Sequence, residues 1–402
     1  MSLEYRSPTA DELEAALRAV TSAFGEELKK DDLERDRKLM PLDRVLAAWD
    51  GDGPVGVAAS WPFELTVPGG TMAAAGVTWV GVLPSHRRRG VLRELMRRQL
   101  TNVRERGEPL AILWASEATI YGRFGYGVAA PELAIDAERS VFALRDDPGP
   151  RGTVRLVTAE EALELFPPIH ERIRRERVGF LSRTTDWWRE GILGDPEHWR
   201  QGAGPKFYAL LELDGEPAGY ALYRVKTNWE ESTPRGELLP TEVVATTPEA
   251  TREIWRFLFG IDLVGRVKYY RLDPTSPLEL MVVDPRRLHL SRTEGLWLRI
   301  VDLEAALQGR SFVDAERVVL EVEDVLLPDN SGRWEVGPDV RATDAGPDVA
   351  LDVSDLASAY LGAFSFEQLE RAGRARELRP GGIARASALF RTALPPSCPE
   401  GF

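Results

Sequence analysis

Gly76-Val77-Thr78-Trp79-Val80-Gly81-Val82-Leu83-Pro84-Ser85-His86-Arg87-Arg88-Arg89-Gly90-Val91-Leu92 reads as an apolar strand, a proline stop and an arginine-glycine turn that opens a helix. That order builds a cradle for a pyrophosphate. The first backbone N–H groups of a helix have no partner inside it and point outward, with the positive end of the helix dipole behind them. Arg87, Arg88 and Arg89 add charge suited to phosphate oxygens, and Gly90 allows close backbone approach. The spacing is Arg-x-x-Gly, not the Gly-x-x-x-x-Gly-Lys-Ser/Thr of ATP sites or the Gly-x-Gly-x-x-Gly of dinucleotide sites, which points to coenzyme A. Along the helix that follows, Val91, Leu92, Leu95, Met96 and Gln99-Leu100 form a core-facing stripe while Arg97 and Arg98 face out. Arg93, also outward but in the first turn, stands within reach of a phosphate.

The chain has 402 residues, 43% of them hydrophobic, enough for roughly two to four domains, each with a core. Its 51 Lys+Arg against 64 Asp+Glu leave a net charge of −13, which repels nucleic acid and suits solubility or a cationic substrate. The stretch Met1 to Leu17 carries Glu4, Asp11, Glu12 and Glu14 and no apolar run, unlike a secretory leader, and no segment is long and apolar enough to span a bilayer. The expectation is a cytoplasmic protein with no membrane partner. Cys398 is the only cysteine, and His86, His170, His198 and His289 lie far apart, so no metal site is expected.

Two stretches resemble each other. Leu46-Ala47-Ala48-Trp49 followed by Asp52-Gly53-Pro54-Val55-Gly56-Val57-Ala58 matches Ala209-Leu210-Leu211-Glu212-Leu213 followed by Asp214-Gly215-Glu216-Pro217-Ala218-Gly219-Tyr220-Ala221, each a strand, a tight turn and a strand. Thr241 to Ala250 followed by Arg252 to Phe259 then repeats the strand, proline, helix order of Gly76 to Leu100. A duplicated α/β unit is expected, with the phosphate pocket confined to the first copy, because the second has Glu249-Ala250-Thr251-Arg252 in place of the arginine turn. From about Glu294 the pattern shifts to strands at Val318 to Leu327, Arg333 to Val336 and Val349 to Val353, with helices at Leu303 to Gln308, Ser354 to Leu361 and Ile383 to Leu394, an α+β domain. The division read from these patterns is 1–145, 146–291 and 292–402, with Asp146 to Gly152 as the linker between the first two.

Acyl transfer from a thioester to an amine needs a polarised carbonyl, a base for the amine's proton and an acid for the departing thiolate. The backbone of Val80, Gly81 and Val82 suits the first task if this strand splays from its neighbour. Tyr121 and Tyr126, in Leu113-Trp114-Ala115-Ser116-Glu117-Ala118-Thr119-Ile120-Tyr121-Gly122-Arg123-Phe124-Gly125-Tyr126-Gly127, both carry phenols whose ordinary pKa of about 10 lies above that of a thiol at about 8.5. Either could donate the proton, and either could be a packing residue. Glu26, Glu27, Asp31, Asp32, Glu34 and Asp36 form an acidic run that would suit a polyamine or serve as a solvated helix face.

Val80-x-Val82, Arg87-Arg88-Arg89-Gly90 and Ala115-Ser116-Glu117-x-x-Ile120-Tyr121-Gly122-Arg123-Phe124-Gly125-Tyr126-Gly127 together resemble the enhanced intracellular survival (Eis) family of GNAT acetyltransferases. Ala221 to Val225, Gly295 to Ile300, Tyr360 to Ala363 and the terminal Phe402 extend the likeness over nearly the whole chain. The resemblance implies an α+β protomer of mixed sheets: two tandem GNAT-like domains, the first of them active, then a sterol-carrier-like domain, assembled as a homohexamer. It implies acetyl-CoA as co-substrate and acetylation of aminoglycosides, at several amines, or of protein lysines; a non-catalytic CoA- or lipid-binding protein on the same scaffold is the alternative. Acetyl-CoA contacts carry over to Val80, Gly81, Val82, Arg87, Arg88, Arg89, Gly90, Val91, Leu92, Arg93, Ser116 and Glu117. The proton donor carries over to Tyr121 rather than Tyr126, and the proton acceptor to the α-carboxylate of Phe402, whose ordinary pKa near 3.5 partial burial would raise. Pro395, Pro396 and Pro399 stiffen that tail. Glu26, Trp79 and Glu400 correspond to the substrate pocket, and Gly401 stands where the family carries an acid directly before its last residue.

Overall fold

The structure, a computed structural model, describes residues 3–51, 53–313 and 316–402. Asp52, expected in the first hairpin turn, and Met1 lie outside the described residues. The chain divides into two compact units, one of Met1–Ala130, Gly295–Pro396 and Gly401–Phe402, the other of Pro131–Glu294 and Ser397–Glu400.

In the first unit β1 (Glu4–Arg6), β2 (Val45–Asp50), β3 (Gly53–Val67) and β4 (Gly70–Val82) form an antiparallel run, and β5 (Leu110–Trp114) joins β4 in parallel. Helices α1 (Leu13–Phe24), α2 (Lys30–Leu39), α3 (Val91–Glu105) and the single turn α4 (Ala118–Tyr121) complete this part. The parallel β4–β5 step requires a crossover, and α3 supplies it. Its buried residues are Val91, Leu95, Met96, Gln99, Leu100 and Val103, the stripe read from the sequence with Leu92 at its margin.

The second unit repeats the plan. After β6 (Gly127–Glu138), which begins in the first unit, come β7 (Thr153–Val157), α5 (Ala159–Arg174), β8 (Phe207–Leu213), β9 (Glu216–Lys226), a small hairpin β10 (Trp229–Glu230) and β11 (Thr233–Pro234), β12 (Gly236–Ala245), α6 (Pro248–Gly260), β13 (Val264–Leu272) and α7 (Leu278–Met281). β7, β8, β9 and β12 run antiparallel and β13 joins β12 in parallel across α6. The sixth strand of each sheet is exchanged in sequence: Leu133 to Glu138 of β6 pair with β13, whereas β14 (Ser291–Ile300), which follows the second copy, pairs Leu296 to Ile300 with β5 of the first.

The C-terminal region, within the first unit, comprises α8 (Leu303–Gln308), β15 (Val318–Glu323), β16 (Gly332–Val336), β17 (Arg341–Ala342), β18 (Val349–Asp352), α9 (Val353–Tyr360), α10 (Phe366–Arg371), β19 (Ala375–Glu377) and α11 (Gly382–Phe390), with a sheet ordered β17-β16-β15-β18-β19. Two elements end earlier than their apolar patterns predict. β15 stops at Glu323 because the Asp324 carboxylate accepts from the N–H groups of Leu326 and Leu327, turning the chain, and pairs with buried Arg299 at 2.7 Å. α11 stops at Phe390, whose carbonyl accepts from the Arg310 guanidinium.

Candidate active site

Strand β4 opens on one edge and bulges on the other. Its antiparallel register with β3 runs Val57↔Gly81 and then Ala59↔Thr78, so β4 carries one extra residue there, and Trp79 takes the left-handed φ of 54°. For a bulky residue that conformation costs roughly 1–3 kcal/mol. Packing holds it: the Trp79 ring meets Trp61 edge-on at 5.7 Å and lies against the cluster of Leu13, Leu17 and Leu33. On the opposite edge β4 pairs with β5 only from Ala74↔Leu110 to Gly76↔Ile112. Beyond Gly76 the ladder to β5 ends, and the stretch containing Val80, Gly81 and Val82 runs past it on the open side.

The turn after Pro84 has the conformation a phosphate cradle needs. Arg88 takes φ 62° and Gly90, at the N-cap of α3, φ 84°; no side chain caps this helix, and nothing lies within 4 Å of where a Gly90 Cβ would stand. The N–H groups of the first turn, at Val91, Leu92 and Arg93, receive no side-chain cap. Arg88, Arg89 and Arg93 are exposed and, among the described residues, make no ion pair. Arg87 differs: its Nε donates to the Val82 carbonyl at 3.2 Å and its Nη2 to that of Ala23 at 2.8 Å, tying the strand end to α1. Glu94, the one acid in the first turn, is drawn away by Arg97 at 2.8 Å and Arg98 at 2.6 Å, chiefly the hydrogen bond from Arg97 holding its carboxyl down at about 2.

The second copy lacks all of this. At the start of α6 the Thr247 hydroxyl accepts from the Ala250 N–H at 3.0 Å, Pro248 has no N–H to offer, and Glu249 adds negative charge. That helix end is capped by its own Thr247 hydroxyl, whereas the start of α3 has no side-chain cap.

Tyr121 ends α4, is 5% exposed and sits in the apolar cluster of Val77, Met96 and Leu100, with Val80 and Leu92 at its margin. Burial raises its phenol above the ordinary value, a hydrogen bond with Ser116 partly opposes this, and Glu117 adds to the rise. Ser116 and Glu117 themselves are exposed. Tyr126 meets the Tyr121 ring edge-on at 5.9 Å, but its hydroxyl is fully buried without a hydrogen-bond partner among the described residues. The glycines around it answer to packing. A Cβ on Gly125, at φ 82°, would stand 2.7 Å from the Arg299 Nε, and one on Gly127 2.0 Å from the Ser354 carbonyl oxygen.

Phe402 is half-buried. Its ring lies 5.1 Å from Phe63 on β3, and a Cβ on Gly76 would stand 3.2 Å from its edge. The last residue therefore rests on β4 at the position where β4 leaves β5. Glu26 is exposed between α1 and α2, and the acidic run around it is largely paired within itself, Arg35 with Asp32 and Asp36, Lys30 with Glu34, Lys29 with Glu27. Glu400 departs from the expected pocket role. It belongs to the second unit, is fully buried, and is bound by the Arg183 guanidinium at 2.6 Å and the Trp187 indole N–H at 2.7 Å. Its carboxylate is spoken for by the protein, so it does not line an open substrate pocket. In the sequence Arg183 is one of several arginines between Arg172 and Arg183, and only its place after the apolar Phe180-Leu181 sets it apart.

Residues 4–129 match the acetyltransferase (GNAT) domain family, residues 179–300 a second acetyltransferase (GNAT) domain family, and residues 303–399 the sterol carrier protein domain family. N-acetyltransferase Eis of Mycobacterium tuberculosis is 34% identical over 98% of both chains. This chain belongs to the Eis family. An N-acetyltransferase of Streptomyces avermitilis is 42% identical over 90% of each chain, and the crystal structure of Eis1 from Mycobacterium abscessus superposes with a TM-score of 0.86 at 35% identity, covering 99% of this chain and 100% of that one. The Eis-family protein is thus an N-acetyltransferase with two GNAT domains followed by a sterol-carrier-like domain. Among its described residues no helix is long and apolar enough to cross a membrane, and no group of three or more His, Cys, Asp or Glu could hold a metal.

Proposed function

We propose that the enzyme acetylates amines of polycationic small molecules, aminoglycosides first and protein lysines second, using acetyl-CoA, with Tyr121 as proton donor and the Phe402 α-carboxylate as proton acceptor. The observation that carries this reading is the position of the chain's last residue against Gly76, where β4 parts from β5. The first-turn N–H groups of Val91 to Arg93, with Arg88 and Arg89, suit the pyrophosphate, and the backbone of Val80 to Val82 suits the acyl carbonyl. Bound acetyl-CoA supplies an acyl group on a thiolate leaving group. The terminal carboxylate takes the proton released by the amine, and the buried phenol, still protonated well above neutral pH, gives one to the sulfur. Glu26 and Trp79 border the amine's approach in this reading. The family likeness also supports a cytoplasmic homohexamer, which light scattering of the purified enzyme tests.

The reaction test is release of free thiol from acetyl-CoA in the presence of kanamycin, tobramycin or a lysine peptide. Turnover with the aminoglycosides is expected, and addition of a few residues beyond Phe402 should abolish it by converting the carboxylate to an amide. Thiol release with none of these amines overturns the substrate class; full activity of the extended chain overturns the proton acceptor.

A further inference from the structure

The second GNAT domain has lost its phosphate cradle but keeps the opened strand. β12 pairs in parallel with β13 only from Gly236 to Leu238, and its register with β9 bulges between Pro240 and Glu242, as β4 bulges near Val80. Four residues past the last parallel pair stands Val80 in the first copy, after Gly76, and Glu242 in the second, after Leu238. An apolar residue beside open backbone is thus replaced by a carboxylate.

That carboxylate is 3% exposed and is gripped by Arg183, whose Nη1 and Nη2 donate to it at 3.0 and 2.6 Å, while the Tyr220 hydroxyl donates to it from β9. The same guanidinium donates to Glu400 from Nε at 2.9 Å and Nη2 at 2.6 Å, and it lies 4.5 Å from the Trp188 ring centre. The grip continues along the tail: the Ser397 N–H donates to the Val178 carbonyl at 2.9 Å, and Gly179, at φ 99°, has no room for a Cβ because the Ser397 carbonyl oxygen would be 2.5 Å away. Arg183 and Glu400 side chains are both fully buried. A buried ion cluster of this kind adds little net stability compared with apolar residues of the same volume, whereas it rejects any arrangement that leaves a charge unpaired. These hydrogen bonds hold the segment 397–400 against Val178, Arg183 and Trp187.

Two residues of extended chain span about 7 Å at most, so fixing Glu400 confines Phe402 to a small volume. We propose that Arg183, oriented by Glu242, is a positioning residue for acetyl transfer: by fixing Glu400 it limits the volume that the terminal carboxylate, two residues further along the same chain, can sample. The inference rests on the reading of that carboxylate as proton acceptor. A displacement of about 1 Å at a reacting group costs on the order of a hundredfold in rate.

Glu400→Gln keeps the shape and removes the charge that Arg183 holds. Its kcat is expected to fall roughly 10- to 100-fold while the KM for acetyl-CoA stays within about twofold, because the cradle lies on α3 and is untouched. Carboxypeptidase should also remove Phe402 from the variant faster than from the wild type, as followed by mass spectrometry. Arg183→Met, which strands two carboxylates, should show the same kcat-selective loss in the fraction that melts cooperatively. A wild-type kcat in Glu400→Gln overturns the proposal, as does a loss accompanied by an equal rise in KM or by loss of cooperative melting, which would make the cluster a folding element only. Full activity of the chain extended beyond Phe402 would remove the proton acceptor and the clamp together. Loss of activity on extension beside unimpaired Glu400→Gln would remove the clamp alone.

Discussion

At the scale of single residues, the two tyrosines of the Tyr121-Gly122-Arg123-Phe124-Gly125-Tyr126-Gly127 stretch are separated by their hydrogen bonding. Tyr121 is 5% exposed and bonds Ser116; Tyr126 is sealed 1% exposed behind Arg299 and Tyr121. Burial raises both phenols. A raised value keeps the proton on through all pH below about 10, so loss of the donor should not limit kcat at neutral or mildly alkaline pH. Tyr121→Phe is expected to lower kcat by roughly a hundredfold or more, the scale of a positioned acid, with acetyl-CoA affinity retained. Steady-state kinetics with a separate binding titration checks this, and near-normal turnover would pass the role to Tyr126 or to water. Gly125 and Gly127 are small because Arg299 of β14 and Ser354 of α9 occupy the space of a Cβ. No sequence signal shows this, since the occupants lie far along the chain.

At the scale of elements, the strand, turn and helix from Gly76 to Glu105 were legible because each step is local. A helix start exposes its own N–H groups, a glycine accepts φ 84°, and a stripe of apolar residues at helical spacing turns to the sheet. Charge and the family likeness both group Arg87 with its neighbours, and in the fold its guanidinium serves backbone carbonyls of Val82 and Ala23. This separates the three arginines experimentally. Arg88→Ala combined with Arg89→Ala should weaken acetyl-CoA binding by about tenfold at low salt and by less at high salt, since exposed charges are screened. Arg87→Ala should instead lower the melting temperature with a smaller change in salt dependence. Isothermal titration at two ionic strengths, beside thermal melts, tells the two roles apart; equal salt slopes for both variants would contradict the division.

At the scale of the whole molecule, the duplication inferred from paired hairpins is real in each sheet, but the sixth strand of each comes from outside the copy's own stretch of sequence. The C-terminal region packs on the first GNAT domain within one unit, through the buried pair of Arg299 and Asp324, 0% and 1% exposed. Arg299→Met would leave Asp324 buried and unpaired. Breaking such a pair from one side costs about 3–5 kcal/mol, so the variant should melt several degrees lower, and a melting temperature within one degree of wild type would show that the pair is dispensable.

The chain by itself determined what depends on near neighbours: the uncapped helix start at Arg88 to Arg93, the capped start of α6 at Pro248, the apolar face of α3, and the Tyr121 turn. Tertiary structure alone decided what depends on partners distant in sequence. It ended the β4–β5 ladder at Gly76, put Phe402 against that end, and buried Glu400 with Arg183. The physical reason is that a backbone N–H or a helix period is set by the residues on either side, whereas a charged side chain is placed by whichever opposite charge the fold brings within hydrogen-bonding distance.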